Sequence, residues 1–149
     1  ADAKIVESIH QPRCFIPLAE WFIDLASEGV SVESISGKNI VAVSAIGNPA
    51  SFEQTLRDLG AEILESIRYP DHHEYTVKEM QDVLQQADAL GAESIVITEK
   101  DAVKIPAEFA KATWSIPIFV ICVEVKFQAG ATEFQDELRR RLSEKLGTR

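Results

Sequence analysis

No glycine-rich phosphate loop occurs in this chain of 149 residues. A P-loop needs Gly-x-x-x-x-Gly-Lys followed by Ser or Thr, so that backbone amides cradle phosphates and the hydroxyl holds magnesium. The one Gly-Lys pair is Gly37-Lys38. Asn39 follows it, and Val32 stands where the first glycine belongs. A GxGxxG fingerprint is absent too. Cysteine is scarce. Cys14 and Cys122 are far apart and lie in apolar contexts, with neither a CxxC nor a Cys/His zinc spacing. Two buried, reduced thiols are the expectation. No apolar run approaches the roughly 18 residues of a membrane span. The longest, Ile116 to Val123, has the length of a strand. No signal peptide opens the chain. Net charge is −9, which argues against nonspecific nucleic-acid binding over the whole surface and leaves room for a local basic patch.

What is present fits one globular domain. The apolar fraction is 46% and the charged fraction 26%, enough for a core of ordinary size. From Gly37 onward strand and helix patterns alternate. Ile40 to Ile46 reads as a buried strand and is broken by Gly47-Asn48-Pro49. Asn48 can cap a helix, and Pro49 suits its first position. Phe52, Leu56 and Leu59 share one helical face, and Gly60 ends it. Ala61 to Ile67 is a second strand. Thr76-Val77-Lys78-Glu79 is a capping box. Its helix should carry Met80, Val83, Leu84, Ala87 and Leu90 inward and end at Gly91. Ser94 to Thr98 is a third strand and Ile116 to Val125 a fourth. Thr132 to Gln135 opens a last helix, with Phe134, Leu138 and Leu142 on one face. Strands apolar on both faces and separated by helices predict a mainly parallel sheet covered on both sides. The expected fold is α/β: a three-layer Rossmann-like domain over 37–149, preceded by a short β-ribbon/helix connector over 1–36.

The connector departs from this rhythm. Lys4 to Ile9 and Arg13 to Leu18 look like two strands broken at Pro12. Pro17 to Ala26 has the pattern of a short amphipathic helix, and Val30 to Ile35 that of another strand. The chain opens Ala1-Asp2-Ala3 without an initiator methionine, so it is expected to derive from something larger.

The chemistry gathers at three places. Tyr69-Pro70-Asp71-His72-His73-Glu74-Tyr75-Thr76 holds two of the three histidines, in the loop after a strand. Open α/β sheets place their chemistry at such loops, and histidine titrates near neutral pH. A polar surface loop explains the pair equally well. Gly47-Asn48-Pro49 puts a helix N-terminus after the first core strand, a position that can bind an anion or serve as a plain turn. Thr98-Glu99-Lys100-Asp101 packs four polar residues directly after Ile97. Thr98 or Asp101 can simply cap the turn that follows, and Lys100 can pair with Glu99 or Asp101. All three places are expected on the same sheet edge. Arg139-Arg140-Arg141, beside Glu137 and Glu144, reads as a solvated helix face.

Three motifs together resemble the tetraacyldisaccharide 4′-kinases, the lipid A 4′-kinases. Ala45-Ile46-Gly47-Asn48-Pro49, with Phe52 and Thr55 to Ala61, is similar to the family's "GIGNP…F…TL..LGA" segment. Pro70 to Thr76 resembles its "PDHH.Y" loop, and Thr98 to Lys104 its "TEKDAVK" motif. Order and spacing agree over about residues 38–125. The resemblance implies the C-terminal domain and connector of a two-domain enzyme whose N-terminal domain carries the P-loop and magnesium ligands. That enzyme moves the γ-phosphate of ATP to the 4′-hydroxyl of tetraacyldisaccharide 1-phosphate at the cytoplasmic face of the bacterial inner membrane, as a peripheral protein. By resemblance, His72 takes part in catalysis with Asp71 as its neighbour. Gly47, Asn48, Tyr75, Thr98, Glu99, Lys100 and Asp101 are candidates for the substrate side or the frame of the crevice. ATP and Mg2+ belong to the parent, and this chain alone is expected to bind neither. The implied partners are the P-loop domain, the lipid A disaccharide precursor and the inner-membrane surface, without nucleic acid.

Two other readings compete. One is a noncatalytic Rossmann-like binding or regulatory module. The other is a metal-dependent phosphoesterase built on Asp71, His72 and His73. The latter needs further aspartates at strand ends, and Asp101 is the only convincing one. No metal ligand set is assigned.

Overall fold

The structure, a computed structural model, describes residues 8–23 and 29–127. Residues 12–122 form one compact unit. Of a second unit, 1–11 with 123–149, the described parts are 8–11 and 123–127, all extended. The final helix expected from Thr132, and the Arg139-Arg140-Arg141 run, lie outside the described residues.

The described elements are β1 (Ser8–Pro17), α1 (Leu18–Ile23), a 3-10 turn (Val32–Ile35), β2 (Asn39–Ser44), α2 (Pro49–Asp58), β3 (Glu62–Arg68), α3 (Val77–Leu90), β4 (Ser94–Thr98), α4 (Glu99–Ala102), α5 (Ala107–Ala110) and β5 (Ile118–Phe127). The sheet runs β1-β5-β4-β2-β3. β2 pairs in parallel with β3 and with β4, and β4 in parallel with β5. From β2 the chain steps outward to β3, then returns to the other side of β2 for β4 and continues to β5. The direction of travel therefore reverses between β2 and β4. Such a reversal opens a crevice at the carboxyl ends of the two strands.

Alternation along β2 separates two apolar layers, because successive strand side chains point to opposite faces. Val41 and Val43 join Ile95, Ile97 and Val120 beneath Met80, Val83 and Ala87 of α3. Ile40 and Ala42 join Val96 and Ile121 beneath Phe52 and Leu56 of α2. This is the three-layer α/β arrangement that the sequence predicts. The helix boundaries follow the predicted signals. Asn48 Oδ1 accepts from Ser51 N at the start of α2, with Pro49 in the first turn. Thr76 and Glu79 form the capping box of α3, and Gly91 ends it in the left-handed region at φ 77°.

Several expectations are corrected. β1 is one continuous strand rather than two broken at Pro12. It lies at the sheet edge, where a residue without an N–H is tolerated. Val30 to Ile35 is not a strand. Val30 makes an isolated antiparallel bridge to Phe15, and Val32–Ile35 is the 3-10 turn. Ser31 caps that turn by accepting from Glu33 N, a local bond that competes with strand pairing. Leu90 is exposed rather than inward, while Met80, Val83 and Ala87 form the buried stripe. The last predicted strand begins at Ile118 and runs to Phe127, and Ile116 is buried ahead of it. Phe15, Leu18 and Ile35 are buried in the same two layers as the strands of the domain. Both cysteines are free and buried, and burial pushes the Cys122 thiol up to about 12, with the Glu99 charge adding to the effect. No helix among the described residues is long and apolar enough to cross a membrane.

Candidate functional site

The segments after β2, β3 and β4 meet at the carboxyl edge of the sheet, and Asp101 joins them. Asp101 is 1% exposed. Oδ1 accepts from Ala45 N at 2.8 Å and from the Tyr75 hydroxyl at 3.0 Å. Oδ2 accepts from the Thr98 hydroxyl at 2.7 Å and from Thr98 N at 3.4 Å. Thr98 Oγ1 accepts in turn from Asp101 N, so the pair is the capping box of α4. A buried carboxylate needs such donors, since an unpaired buried charge is strongly unfavourable. Asp101 thus fastens the exit of β2, the end of the histidine loop and the end of β4 to one another. Burial, then the Asp101 charge, push the Tyr75 phenol well above its ordinary range, so it stays a donor. Tyr75 and Asp101 are both buried and tie the histidine loop to the start of α4.

The two histidines differ sharply. The His72 side chain is 84% exposed and that of His73 is 27% exposed. His73 stacks on Tyr69, with ring centroids 4.8 Å apart and planes 11° from parallel, and meets Tyr75 edge-on. Its Nε2 lies 2.9 Å from both carboxylate oxygens of Glu79. Glu79 also accepts from Thr76 N. That backbone bond first, and His73 second, hold its carboxyl below the usual range. His73 is therefore built into the wall. His72 stands on a left-handed turn at φ 68°, with Nε2 3.6 Å from Asp71 Oδ2. That is too long for a hydrogen bond and within ion-pairing distance. A Cβ at Gly47 would sit 3.4 Å from Asp71 Oδ2, so the turn after β2 runs directly beside Asp71.

The structure thus brings Gly47, Asp71, His72, Tyr75, Thr98 and Asp101 into one contiguous set. Asn48 is at the N-terminus of α2, with its side chain used in the cap. Lys100 is exposed and Glu99 half-buried, both on α4. Neither Lys104 nor Glu79 was singled out from the sequence as a site residue. Lys104 Nζ donates to the His72 carbonyl at 3.3 Å. Its signal was its place at the end of the Thr98–Lys104 motif. Glu79 was legible only as a cap, and its second use at His73 needed the fold of the loop. Among the described residues no three His, Cys, Asp or Glu side chains converge to hold a metal ion. A cavity of about 350 Å3 lined by Phe15, Ile35, Lys38, Glu93 and Phe119 lies at the start of β2 and β4, the opposite edge of the sheet. It shares no residue with this set.

A mostly parallel five-stranded sheet with helices on both faces defines a Rossmann-like α/β domain. The chain belongs to the tetraacyldisaccharide-1-phosphate 4′-kinase (LpxK) family, whose model matches residues 3–143. A tetraacyldisaccharide 4′-kinase of Anaeromyxobacter sp. (strain K) is 37% identical over 126 residues, covering 85% of this chain and 32% of that protein. Another, from Elusimicrobium minutum, is 33% identical over 133 residues, covering 89% and 32%. The chain spans about a third of the length of these curated relatives. A crystal structure of LpxK from Aquifex aeolicus in complex with ATP shares the fold, with a TM-score of 0.50 and 17% identity over 89% of this chain and 35% of that one.

Proposed function

We propose that this chain is the C-terminal part of a tetraacyldisaccharide 4′-kinase, with residues 1–36 as connector and 37–149 as the C-terminal domain. The parent transfers the γ-phosphate of ATP to the 4′-hydroxyl of tetraacyldisaccharide 1-phosphate, a lipid A precursor, as a peripheral protein at the cytoplasmic face of the inner membrane. The observation that carries the reading is His72: an exposed imidazole beside Asp71, on a fixed turn at the carboxyl edge of the sheet.

The residues of this chain do not fit a triphosphate site, because the sequence holds neither a glycine-rich cradle nor its Lys-Ser/Thr pair. ATP and Mg2+ are assigned to another part of the parent polypeptide, and the chain alone is inactive. Its own contribution is to the acceptor. A hydroxyl attacking phosphorus must shed its proton, and a positioned base or orienting group supplies that step. His72 takes the proton, and the Asp71 carboxylate 3.6 Å away steadies the resulting imidazolium.

The test is phosphate transfer from ATP to tetraacyldisaccharide 1-phosphate, measured for the full-length parent and for the 149-residue chain. Turnover by the parent and none by the chain is expected. A folded parent without this activity, as a noncatalytic binding module would be, overturns the assignment. Turnover by the chain alone overturns the division of labour.

A further inference from the structure

We infer that Lys104 and Asp101 are positioning residues for His72, acting through its backbone rather than on substrate. The inference rests on the catalytic reading of His72 and deepens it. The left-handed region is costly for any residue with a Cβ, and such a conformation persists only where the surroundings over-determine it. At His72 both peptide groups are held from outside the loop. Its N–H donates to Ala45 O at 3.3 Å. Its carbonyl accepts from Lys104 Nζ at 3.3 Å.

Both tethers lead back to the segment after β4. Ala45, whose carbonyl receives the His72 N–H, donates its own N–H to Asp101 Oδ1 at 2.8 Å. The same Oδ1 holds the Tyr75 hydroxyl at the far end of the loop. Lys104 acts twice: its ammonium holds His72, and its carbonyl accepts from Tyr75 N at 3.1 Å. Residues 72–75 are therefore suspended between α4 and the residue that follows β2. The capping box at Thr98 and Asp101 sets where α4 begins, and so where Lys104 falls. Lys104 is half-buried with its ammonium on a carbonyl, a place from which it aims the histidine without touching the reacting atoms. Small misplacements of a reacting group are enough to slow turnover strongly.

The experiment is a double-mutant cycle in the full-length parent with Lys104→Met, Lys104→Arg and His72→Ala. Asp101 is left intact there because its removal threatens folding. Lys104→Met is expected to lower kcat about 10-fold with little change in the KM for ATP, the behaviour of lost aim rather than lost binding. Lys104→Arg restores most of the rate, since its guanidinium can donate to the same carbonyl. In the His72→Ala background Lys104→Met has no further effect, because the two residues act as one unit. Equal losses from Lys104→Met in both backgrounds overturn the inference and leave the role of His72 standing. A His72→Ala parent with near-normal kcat overturns the catalytic reading and the inference together. The two failures are distinct, because in the first His72→Ala is itself slow. A second readout uses the isotope-labelled chain: Lys104→Met should change the three-bond HN–Hα coupling of His72, which reports its φ. An unchanged coupling overturns the tether.

Discussion

Tyr75 donates its hydroxyl to Asp101 Oδ1 at 3.0 Å, a buried contact between residues 26 apart in sequence. It closes the histidine loop onto the start of α4. Tyr75→Phe removes one donor and should cost about 1 kcal/mol. Asp101→Ala leaves Ala45 N, the Tyr75 hydroxyl and Thr98 without their acceptor, and should cost on the order of 3 kcal/mol or more. Urea unfolding of the chain measures both. An Asp101→Ala chain as stable as the parent sequence would show that the joint is not structural.

The same contact gives an alkaline signature. The Tyr75 phenol is raised in the folded state by burial and by the Asp101 charge. A raised folded value means stability that is fully present below the unfolded pKa, about 10 for tyrosine, and lost as pH rises from there toward the folded value. Stability should fall above about pH 10, and the fall should be shallower in Tyr75→Phe. Identical alkaline limbs for the two chains would remove Tyr75 as the cause.

Glu53 and Arg68 set the acid side. Glu53 is 3% exposed on α2, and Arg68, at the end of β3, meets it with two bonds of 2.6 and 2.9 Å. The Arg68 hydrogen bond holds the Glu53 carboxyl below its ordinary range, against the opposing effect of burial. A depressed folded value means stability present above the unfolded pKa of about 4.3 and lost as pH falls through the folded value. Arg68→Met strands a buried carboxylate, at a cost of roughly 1–3 kcal/mol near pH 7. The gap between the two chains should narrow as pH falls below about 4.3, because Glu53 takes up its proton in the unfolded chain and in Arg68→Met before it does so in the folded pair. A gap that stays constant down to pH 3 would refute the pair as its source.

The architecture was legible wherever a local signal coincided with a long-range one. Asn48-Pro49, Thr76 to Glu79 and Gly91 mark helix ends by their own backbone chemistry, and β2 and β4 are apolar on both faces because helices cover both. The sheet edge was harder. Pro12 reads as a break, yet an edge strand has a side that needs no donor, and edge position is not written in local sequence. The serines around Val32 draw the backbone into a turn that alternation alone does not reveal. In the site, residue types and their common edge could be read, and the division of labour could not. That His73 is walled in by Tyr69 and Glu79 while His72 is exposed depends on a left-handed φ at one residue. Lys104 reaches that residue only after the loop has been folded back, 32 positions away.

The left-handed backbone at His72 also has a measurable cost. His72→Gly removes the Cβ conflict at φ 68° and should stabilise the chain by about 1 kcal/mol relative to His72→Ala. Comparing these two variants cancels the loss of the imidazole. Equal urea midpoints for Gly and Ala at this position would mean that the turn carries no strain.

The final prediction separates the neighbouring histidines by two different measurements. In the full-length parent, His72→Ala should lower kcat by roughly 10²-fold or more, as for a lost acid–base group. Its stability should barely change, because the side chain is 84% exposed. His73→Ala should do the reverse. It gives up the stack on Tyr69 and the contact with Glu79, so the protein loses about 1–2 kcal/mol of stability while kcat falls far less. Asp71→Asn should lie between His72→Ala and the unaltered parent in kcat, since it removes the charge that steadies the imidazolium and keeps the side chain's shape. Steady-state kinetics give the first axis and urea unfolding the second, with circular dichroism confirming that each variant is folded. Equal kinetic losses at the two histidines, or a folded His72→Ala enzyme of near-normal kcat, would take the chemistry away from His72 and leave the loop a structural element.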